Sequence, residues 1–300
     1  MAVLIESLLG GLRNEVVEKV AWDDYLALAG LNPSTIVKAV RGRDESGDLI
    51  LDLAALKWSW DNPGKDTDDL LWGRAVHCLV FEPQEFERRY VRWEDGRVRR
   101  GKDYDAFRLD NWGKEVLSAA QWGSALEAGQ SFVRYCECHD EFAASLKDGQ
   151  SELTVFKVVD GIQCRGRIDR VTNQKLHKIR DLKTAQTITP RKFGSAFYAY
   201  FYDIKLGLYR RWLSQVTGRQ WDVEVIAIEK SPPWQVVVIP IPDAVLDYGA
   251  EKGLKIIKRV RQCIESGVWP GLFGGEEGYL HVPFNEMEDI ELIGAEEVAA

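Results

Sequence analysis

The sequence lacks the features that would place the chain in a membrane or in an oxidising compartment. No apolar run approaches the ~20 residues of a membrane-spanning helix, and the N-terminus has no basic region followed by an apolar core of the signal-peptide type. Cysteine is scarce, and the five cysteines are odd in number and irregularly spaced, which is typical of reduced thiols. These absences predict a cytoplasmic protein that does not contact a membrane.

The motifs of an ATP-driven motor and of a compact zinc site are lacking as well. Gly64-Lys65 has neither the earlier glycine nor the following serine or threonine of a phosphate-binding loop. Cys136, Cys138 and His139 form a C-x-C-H run on a helical stretch, but no second ligand pair lies nearby in the sequence. Zinc binding by this run is therefore disfavoured.

Charge is distributed unevenly along the chain, although the net charge of −8 would by itself argue against a nucleic-acid partner. Residues 165–192 contain nine Lys or Arg and two acids, and residues 87–102 contain seven Lys or Arg and three acids. Residues 276–300 contain eight acids and no Lys or Arg. A basic segment attracts and aligns a polyanionic substrate, whereas ordinary solvated faces would scatter both signs more evenly.

The pattern of apolar residues and turn residues predicts an α/β protein. At 300 residues the chain can form one large domain, with or without a subdomain. Helices are predicted over residues 68–80, 104–118, 120–146, 190–214 and 243–265, and strands over 151–159, 162–171, 176–182, 221–229 and 234–241. This order predicts a mixed central sheet flanked by helices.

Three parts are predicted along the chain. Residues 1–65 form a helical N-terminal extension that includes a short helix over 36–40, residues 66–285 form the main domain, and residues 286–300 form an acidic tail. The tail is predicted to be a loose surface segment that docks a partner or limits nonspecific DNA contact.

The most informative segment is a predicted hairpin formed by residues 162–171 and 176–182. Its first strand alternates apolar and charged residues, and a short polar turn follows. Asp169 can then approach Asp181, and two carboxylates suit Mg²⁺ or Mn²⁺. Lys183, on the same strand face as Asp181, could orient or deprotonate a water or stabilise developing charge. On spacing alone, an amphipathic hairpin with an ordinary salt bridge remains the alternative.

Five short motifs, weak individually, occur in an order that resembles a known family: GRAVH (73–77), SEL (151–153), GRID (166–169), DLKT (181–184) and YDIKLGLY (202–209). Together they resemble the PD-(D/E)XK nuclease superfamily. Within it the chain is similar to the exonuclease VIII, or RecE-type, recombination exonucleases of phages. The resemblance spans roughly residues 25–285 and implies a restriction-endonuclease-like core.

The resemblance implies a role for each residue of the hairpin. His77 and Asp169 would be metal ligands, and Asp181 would be the bridging ligand. The carbonyl of Leu182 would also face the metal, and Lys183 would be the catalytic lysine. The implied cofactor is Mg²⁺, with Mn²⁺ as an alternative. The cysteines do not form the four-cysteine pattern of some superfamily members, so no iron–sulfur cluster is expected.

Three further residues are assigned to the catalytic site by the resemblance. Glu152 matches a glutamate near the metal, and Tyr209 matches the tyrosine of a helix motif that usually reads Gln-x-x-x-Tyr. Lys205 stands at the glutamine position, where its cation could serve a phosphate or alter the activity.

Basic side chains near these motifs are candidates for contacting DNA: Arg99, Arg100, Lys102, Arg165 and Arg167. Arg165 and Arg167 share a strand face with Asp169 and could contact the scissile strand. Trp93, near the basic segment, could stack on a DNA end.

The resemblance implies a 5′-to-3′ exonuclease that acts on double-stranded DNA ends and leaves 3′ single-stranded tails for phage-type recombination. The implied partner is a single-strand annealing protein, and a homo-oligomeric ring is plausible. Two alternatives remain open: an endonuclease or single-strand nuclease of the same fold, and a DNA-binding protein with a decayed site.

Overall fold

A computed structural model describes residues 8–17, 20, 22–62, 64, 66–94, 98–172 and 176–272 of the chain. The predicted acidic tail, 286–300, lies outside the described residues. Within the described ranges, every helix is too short or too polar to cross a lipid bilayer.

The α-helices of the described residues are α1 (Trp22–Ala27), α2 (Pro33–Ile36), α3 (Leu53–Asp61), α4 (Asp68–Phe81), α5 (Phe86–Arg89), α6 (Lys102–Asp110), α7 (Ala119–Glu137), α8 (Asp140–Lys147), α9 (Pro190–Ala199), α10 (Tyr202–Thr217) and α11 (Asp243–Ser266). The strands are β1 (Glu15–Val17), β2 (Val40–Arg43), β3 (Leu49–Leu51), β4 (Tyr90–Trp93), β5 (Glu115–Ser118), β6 (Gly149–Val159), β7 (Ile162–Thr172), β8 (Lys178–Ala185), β9 (Asp222–Glu229) and β10 (Val236–Ile241).

The central sheet is mixed and has the strand order β1-β6-β7-β8-β9-β10. Neighbouring strands are antiparallel except for β8 and β9, which run parallel. The turn between β6 and β7 consists of Asp160 and Gly161, both with positive φ (49° and 75°). An Asp-Gly pair adopts this conformation readily and matches the right-handed twist of a tight hairpin. The sequence thus sets the register of the strands that carry the site.

The sheet is covered by helices on both faces, which confirms the predicted α/β architecture. Strand residues such as Ile179 and Val225 belong to a core that includes the buried faces of α10 and α11. Strand residues that point to the other face of the sheet, such as Leu182 and Ile226, belong to a second core with α4 and α7. The alternation follows from the two-residue period of a strand.

Several predicted elements differ from the structure. The helix predicted over 104–118 ends at Asp110, and residues 115–118 form β5, paired in parallel with β4. The helix predicted over 120–146 is two helices, because a new helix begins at Asp140. The helix predicted over 190–214 is also interrupted, at Tyr200 and Phe201.

The N-terminal part is less helical than the sequence predicts. Its short strand β1 pairs with β6 at the edge of the central sheet, and β2 and β3 form a separate hairpin. The helix predicted over 36–40 is instead the end of α2 followed by a 3₁₀ turn, Val37–Ala39. Residues 15–17 therefore contribute directly to the sheet on which the candidate site lies.

Candidate active site

Strands β6, β7 and β8 bring the predicted carboxylates together. Ser151 and Leu153 of β6 pair with Arg170 and Ile168 of β7. Glu152, which lies between them, is therefore opposite Asp169. The backbone N–H of Leu182 on β8 donates a hydrogen bond of 2.9 Å to Oδ2 of Asp169. This bond fixes the Asp169 carboxylate beside the Asp181–Lys183 segment, as the hairpin prediction requires.

Asp181 and Lys183 form an ion pair on β8. The Lys183 ammonium also donates to the carbonyl of Leu182, at 3.4 Å. Burial acts against the charged form of Lys183, but the nearby Asp181 and Asp169 carboxylates outweigh it and raise the pKa of the ammonium. Lys183 is therefore cationic at neutral pH, which favours charge stabilisation over proton abstraction.

Asp169 is the carboxylate most affected by its surroundings. Burial, and then the neighbouring Asp181 carboxylate, raise the pKa of Asp169. His77, on α4, places its Nδ1 atom 3.4 Å from Oδ2 of Asp169. Burial, followed by repulsion from the Lys183 ammonium, lowers the pKa of His77, so its ring favours the neutral form that can ligate a metal.

Glu152 has an unusual backbone for a strand residue, with φ of 59°. A non-glycine residue in the left-handed region costs on the order of 1 kcal/mol or more and is common at functional sites. Burial, and then the Asp169 carboxylate, raise the pKa of Glu152, although it pairs with the Arg167 guanidinium. The fold therefore retains a third carboxylate at a position that is unfavourable for both backbone and charge.

Helix α10 contributes Tyr209 and Lys205, one turn apart. The Tyr209 ring packs on Gly166 of the GRID motif, where a Cβ atom would lie 2.7 Å from Cε1 of the ring. Lys205 lies 5.1 Å from the centroid of the Tyr202 ring, and Lys183 lies 4.9 Å from the same centroid. Burial, followed by repulsion from Lys183, lowers the pKa of Lys205 to about 8.

Most of these residues, although not the buried Asp181, line a large open cavity of about 1160 Å³. Its wall has eight Lys and Arg side chains against five Asp and Glu. The excess of cations is present although the whole chain is acidic, and it suits an anionic substrate. The predicted site residues that line the cavity are His77, Glu152, Arg165, Arg167, Asp169, Leu182, Lys183, Lys205 and Tyr209.

The predicted DNA-contacting residues separate into two groups. Arg165 is 7% exposed, donates to the carbonyls of Gly30 and Leu26, and lies 4.5 Å from the Tyr25 ring centroid. Arg167 donates to the carbonyl of Val20 as well as pairing with Glu152. These two arginines therefore connect the N-terminal segment to the cavity wall.

The second group of predicted contacts lies away from the cavity wall. Arg99 pairs with Asp68 at the start of α4, and Arg100 and Lys102 are exposed nearby. Trp93 is 4% exposed and packs its ring against Phe107, with centroids 4.9 Å apart. The expectation that Trp93 stacks on a DNA end is wrong, because β4 turns this side chain into the protein.

The chemistry of the site fits a hard divalent cation, although the described residues contain no three His, Cys, Asp or Glu side chains already converged on a metal position. Oδ2 of Asp181 is buried and pairs with the Lys183 ammonium. A buried carboxylate oxygen that already faces a cation is suited to act as a metal ligand. Asp169, His77 and the Leu182 carbonyl supply further donors of suitable types.

The sequence of this chain matches a known family. Residues 51–279 match DUF3799, a PDDEXK-like domain of unknown function. The chain belongs to this PDDEXK-like family. The fold and the superfamily expected from the motif order are therefore confirmed, whereas membership of the RecE-type exonucleases stays a prediction.

A solved structure with the same fold is that of a provisionally assigned exonuclease from Eubacterium rectale. It has a TM-score of 0.58 and 16% sequence identity, over 91% of this chain and 98% of that chain. The structure of SSO0001 aligns with a TM-score of 0.25 and 13% identity, over 71% of this chain and 91% of that chain, which does not show a shared fold. No curated protein matches the chain significantly.

Sequence patterns missed several aromatic residues of the cavity, of which Tyr202 and Tyr25 contact cations of the site. Tyr202, which contacts both Lys183 and Lys205, lies within the YDIKLGLY motif, so helical spacing could have placed it beside Lys205. Tyr25 comes from α1 and contacts Arg165 and Arg167 across the fold. No local pattern near Tyr25 indicates this position, because it depends on how the N-terminal segment folds back.

Proposed function

We propose that the chain is a divalent-metal-dependent deoxyribonuclease that hydrolyses phosphodiester bonds in this cavity. The observation that carries the proposal is the Leu182–Asp169 hydrogen bond, which holds Asp169 next to the Asp181–Lys183 pair. Two carboxylates and one lysine at the edge of a cation-lined cavity are suited to phosphodiester chemistry.

Asp169, Asp181, His77 and the Leu182 carbonyl are the residues that would hold Mg²⁺ or Mn²⁺, with Glu152 beside them. A bound metal supplies positive charge against the phosphate and makes water a better nucleophile at neutral pH.

The side chains of the site have separate tasks in this proposal. Lys183, protonated because of its two carboxylate neighbours, stabilises negative charge that develops on the phosphate. Tyr209 is buried, which raises the pKa of its phenol, so it stays neutral and can donate a hydrogen bond. Lys205 adds a second cation near the Tyr202 ring.

The proposed reaction is 5′-to-3′ degradation of linear double-stranded DNA from its ends, leaving 3′ single-stranded tails. This direction, the role in phage-type recombination, the single-strand annealing partner, the homo-oligomeric ring and the cytoplasmic location are supported only by the motif order and composition. Arg99, Arg100 and Lys102 are proposed to contact the duplex outside the cavity, where they lie on an exposed basic segment.

The test is release of labelled nucleotides from linear duplex DNA with Mg²⁺, with the label at the 5′ end or the 3′ end and with closed circular DNA as a control. Early release of the 5′ label from linear DNA alone, absent in Asp181→Ala, is the expected result. Release of the 3′ label first would reverse the direction, and cleavage of circular DNA would favour an endonuclease.

A DNA-binding protein without hydrolytic activity is the second candidate, and the cation at Lys205 is the observation that favours it. Lys205 replaces an amide that the motif usually has at this position. DNA binding with no release from any substrate, in the presence of Mg²⁺ or Mn²⁺, would establish this function and reject the nuclease.

A further inference from the structure

An exposed aromatic ring stands at the mouth of the catalytic cavity, where α9 and α10 meet. Four aromatic residues occur within five positions there: Tyr198, Tyr200, Phe201 and Tyr202. Tyr200 ends α9 and is 61% exposed, yet it lines the cavity. Exposure alone is not unusual for a tyrosine, but an exposed ring in a cation-lined cavity offers an aromatic face beside charges that attract an anion.

The backbone break places Tyr200 in this position. Phe201 adopts left-handed angles, with φ of 55° and ψ of 39°, as the residue that starts α10. A bulky residue avoids this region unless the surrounding structure enforces it. The break lies directly beside Tyr200, whose ring is exposed at the cavity wall.

The ring of Tyr200 is one aromatic residue away from the catalytic lysine. Its centroid lies 5.8 Å from that of Tyr202, with an angle of 36° between the planes. The Tyr202 ring in turn lies 4.9 Å from the Lys183 ammonium. An exposed aromatic surface thus lies next to the position proposed for the phosphate, and a nucleotide combines these two chemical groups.

We propose that Tyr200 stacks on the base of the nucleotide whose phosphate lies at Lys183. The inference rests on the proposed nuclease function and adds a nucleobase site to it. Every base has an aromatic face, so this contact holds the strand without reading its sequence. The free face of a base is available in an unpaired strand or at the end of a duplex, so a single strand is the probe that isolates this contact.

Tyr198 offers a matched control on the same segment. It is 46% exposed, and its ring packs on Phe197 at 5.4 Å, but it does not line the cavity. Replacing Tyr198 with alanine removes an exposed tyrosine without removing the proposed stacking partner. Replacing Tyr200 with phenylalanine keeps an aromatic ring and removes only the hydroxyl.

The test measures the affinity for two single strands in EDTA, so that no hydrolysis occurs. One is an oligo-dT strand, and the other is the same strand with abasic nucleotides at one end. The measurement is made once with the 5′ end abasic and once with the 3′ end abasic. Wild type, Tyr198→Ala and Tyr200→Phe are expected to bind the strand with bases roughly 5- to 100-fold more tightly. Tyr200→Ala is expected to lose this preference while binding the abasic strand as wild type does.

Two results would overturn the stacking site and leave the nuclease proposal standing. One is a wild type that binds both strands equally, and the other is Tyr200→Ala with the preference of wild type. A protein that neither binds these strands nor degrades duplex DNA with Mg²⁺ would overturn the nuclease, and the stacking site with it.

Discussion

At the scale of single residues, the site keeps Asp169 where its charge is unfavourable. Its folded-state pKa is raised by burial and by Asp181, so folding favours the protonated form. The contribution of this protonated carboxyl group to the free energy of unfolding is present at acidic pH and is lost as pH rises through the raised pKa. Asp169→Asn, which can still accept the Leu182 hydrogen bond, should therefore stabilise the metal-free protein by about 1 kcal/mol at mildly alkaline pH.

Urea unfolding at acidic and at mildly alkaline pH checks this expectation. The gain should vanish at acidic pH, where the aspartate is protonated in both states. Asp222→Asn, on an exposed strand residue, is the control and should change stability little. Mg²⁺ should stabilise wild type and not Asp169→Asn, since binding to the folded state adds stability by mass action. Equal stability of Asp169→Asn and wild type at alkaline pH would contradict the account.

Lys205 should make DNA affinity depend on pH near 8. Its pKa is lowered to about 8, so the cation is lost as pH rises through that value. Wild type should bind DNA roughly fivefold more weakly above this pH than at neutral pH. Lys205→Gln, which restores the amide of the usual motif, should show no such change. Fluorescence anisotropy in EDTA measures both, and an identical pH profile for the two proteins would reject the role of Lys205.

The positions of single residues were predicted best where they depend on local spacing. Asp169 lies on one predicted strand of the hairpin, and Asp181 and Lys183 share a face of the other. Their proximity therefore follows from closing the hairpin. The left-handed backbone of Glu152 and the burial of Arg165 could not be predicted, because carbonyl groups and side chains from distant segments determine them.

At the scale of elements, α10 is held in place by its close approach to α11. A Cβ atom at Gly207 would lie 2.3 Å from the carbonyl oxygen of Leu246. Gly207→Ala should therefore force the helices apart and destabilise the protein by about 1–3 kcal/mol. Gly194→Ala in α9, where no atom lies within 4 Å of the added methyl group, should stabilise it by up to about 1 kcal/mol.

Thermal and urea unfolding of the two glycine variants distinguish these outcomes. The opposite signs separate steric overlap from helix propensity, since both substitutions improve the propensity equally. A stabilised Gly207→Ala protein would show that the helices can separate at little cost.

The hairpin of β2 and β3 is tied to α10 by an ion pair. Nη2 of Arg43 lies 2.6 Å from Oδ2 of Asp203, whose side chain is fully buried. Arg43→Met should leave an unpaired buried carboxylate and destabilise the protein by about 3–5 kcal/mol. Adding Asp203→Asn should recover part of this loss, because it removes the uncompensated charge.

A surface pair provides the control for Arg43. Arg261→Met breaks the exposed pair with Glu265 on α11 and should cost less than about 1 kcal/mol. Chemical unfolding of the three variants measures the differences. Equal effects of Arg43→Met and Arg261→Met would mean that the Asp203 pair does not hold α10.

Elements with a strong two-residue or helical period were predicted close to their observed bounds, as α4, β7 and α11 illustrate. The break between α9 and α10 was not predicted, because the aromatic-rich segment there has no Gly or Pro to mark the end of a helix. The parallel pairing of β4 with β5 was missed for another reason. It joins strands from two segments, and such long-range pairing has no local signal.

At the scale of the whole molecule, an acidic chain forms a cation-lined cavity by segregating its charges. The basic segment 165–192 contributes Arg165, Arg167, Lys183 and Lys192 to the cavity wall, and the segment 87–102 contributes Arg89. The acids of 276–300, in contrast, lie at the end of the sequence. Net charge alone would have excluded a DNA partner. Its distribution along the chain instead predicts where an anionic substrate binds.

The most direct test of the account is the single-turnover rate of duplex cleavage at saturating DNA and Mg²⁺. Lys183→Gln should reduce this rate by about 100-fold or more, because the cation beside Asp181 acts on charge that develops during hydrolysis. Lys192→Gln, an exposed lysine of the same cavity, should leave the rate within a few-fold of wild type. A folded Lys183→Gln protein that cleaves DNA at the wild-type rate would contradict the assignment of this site.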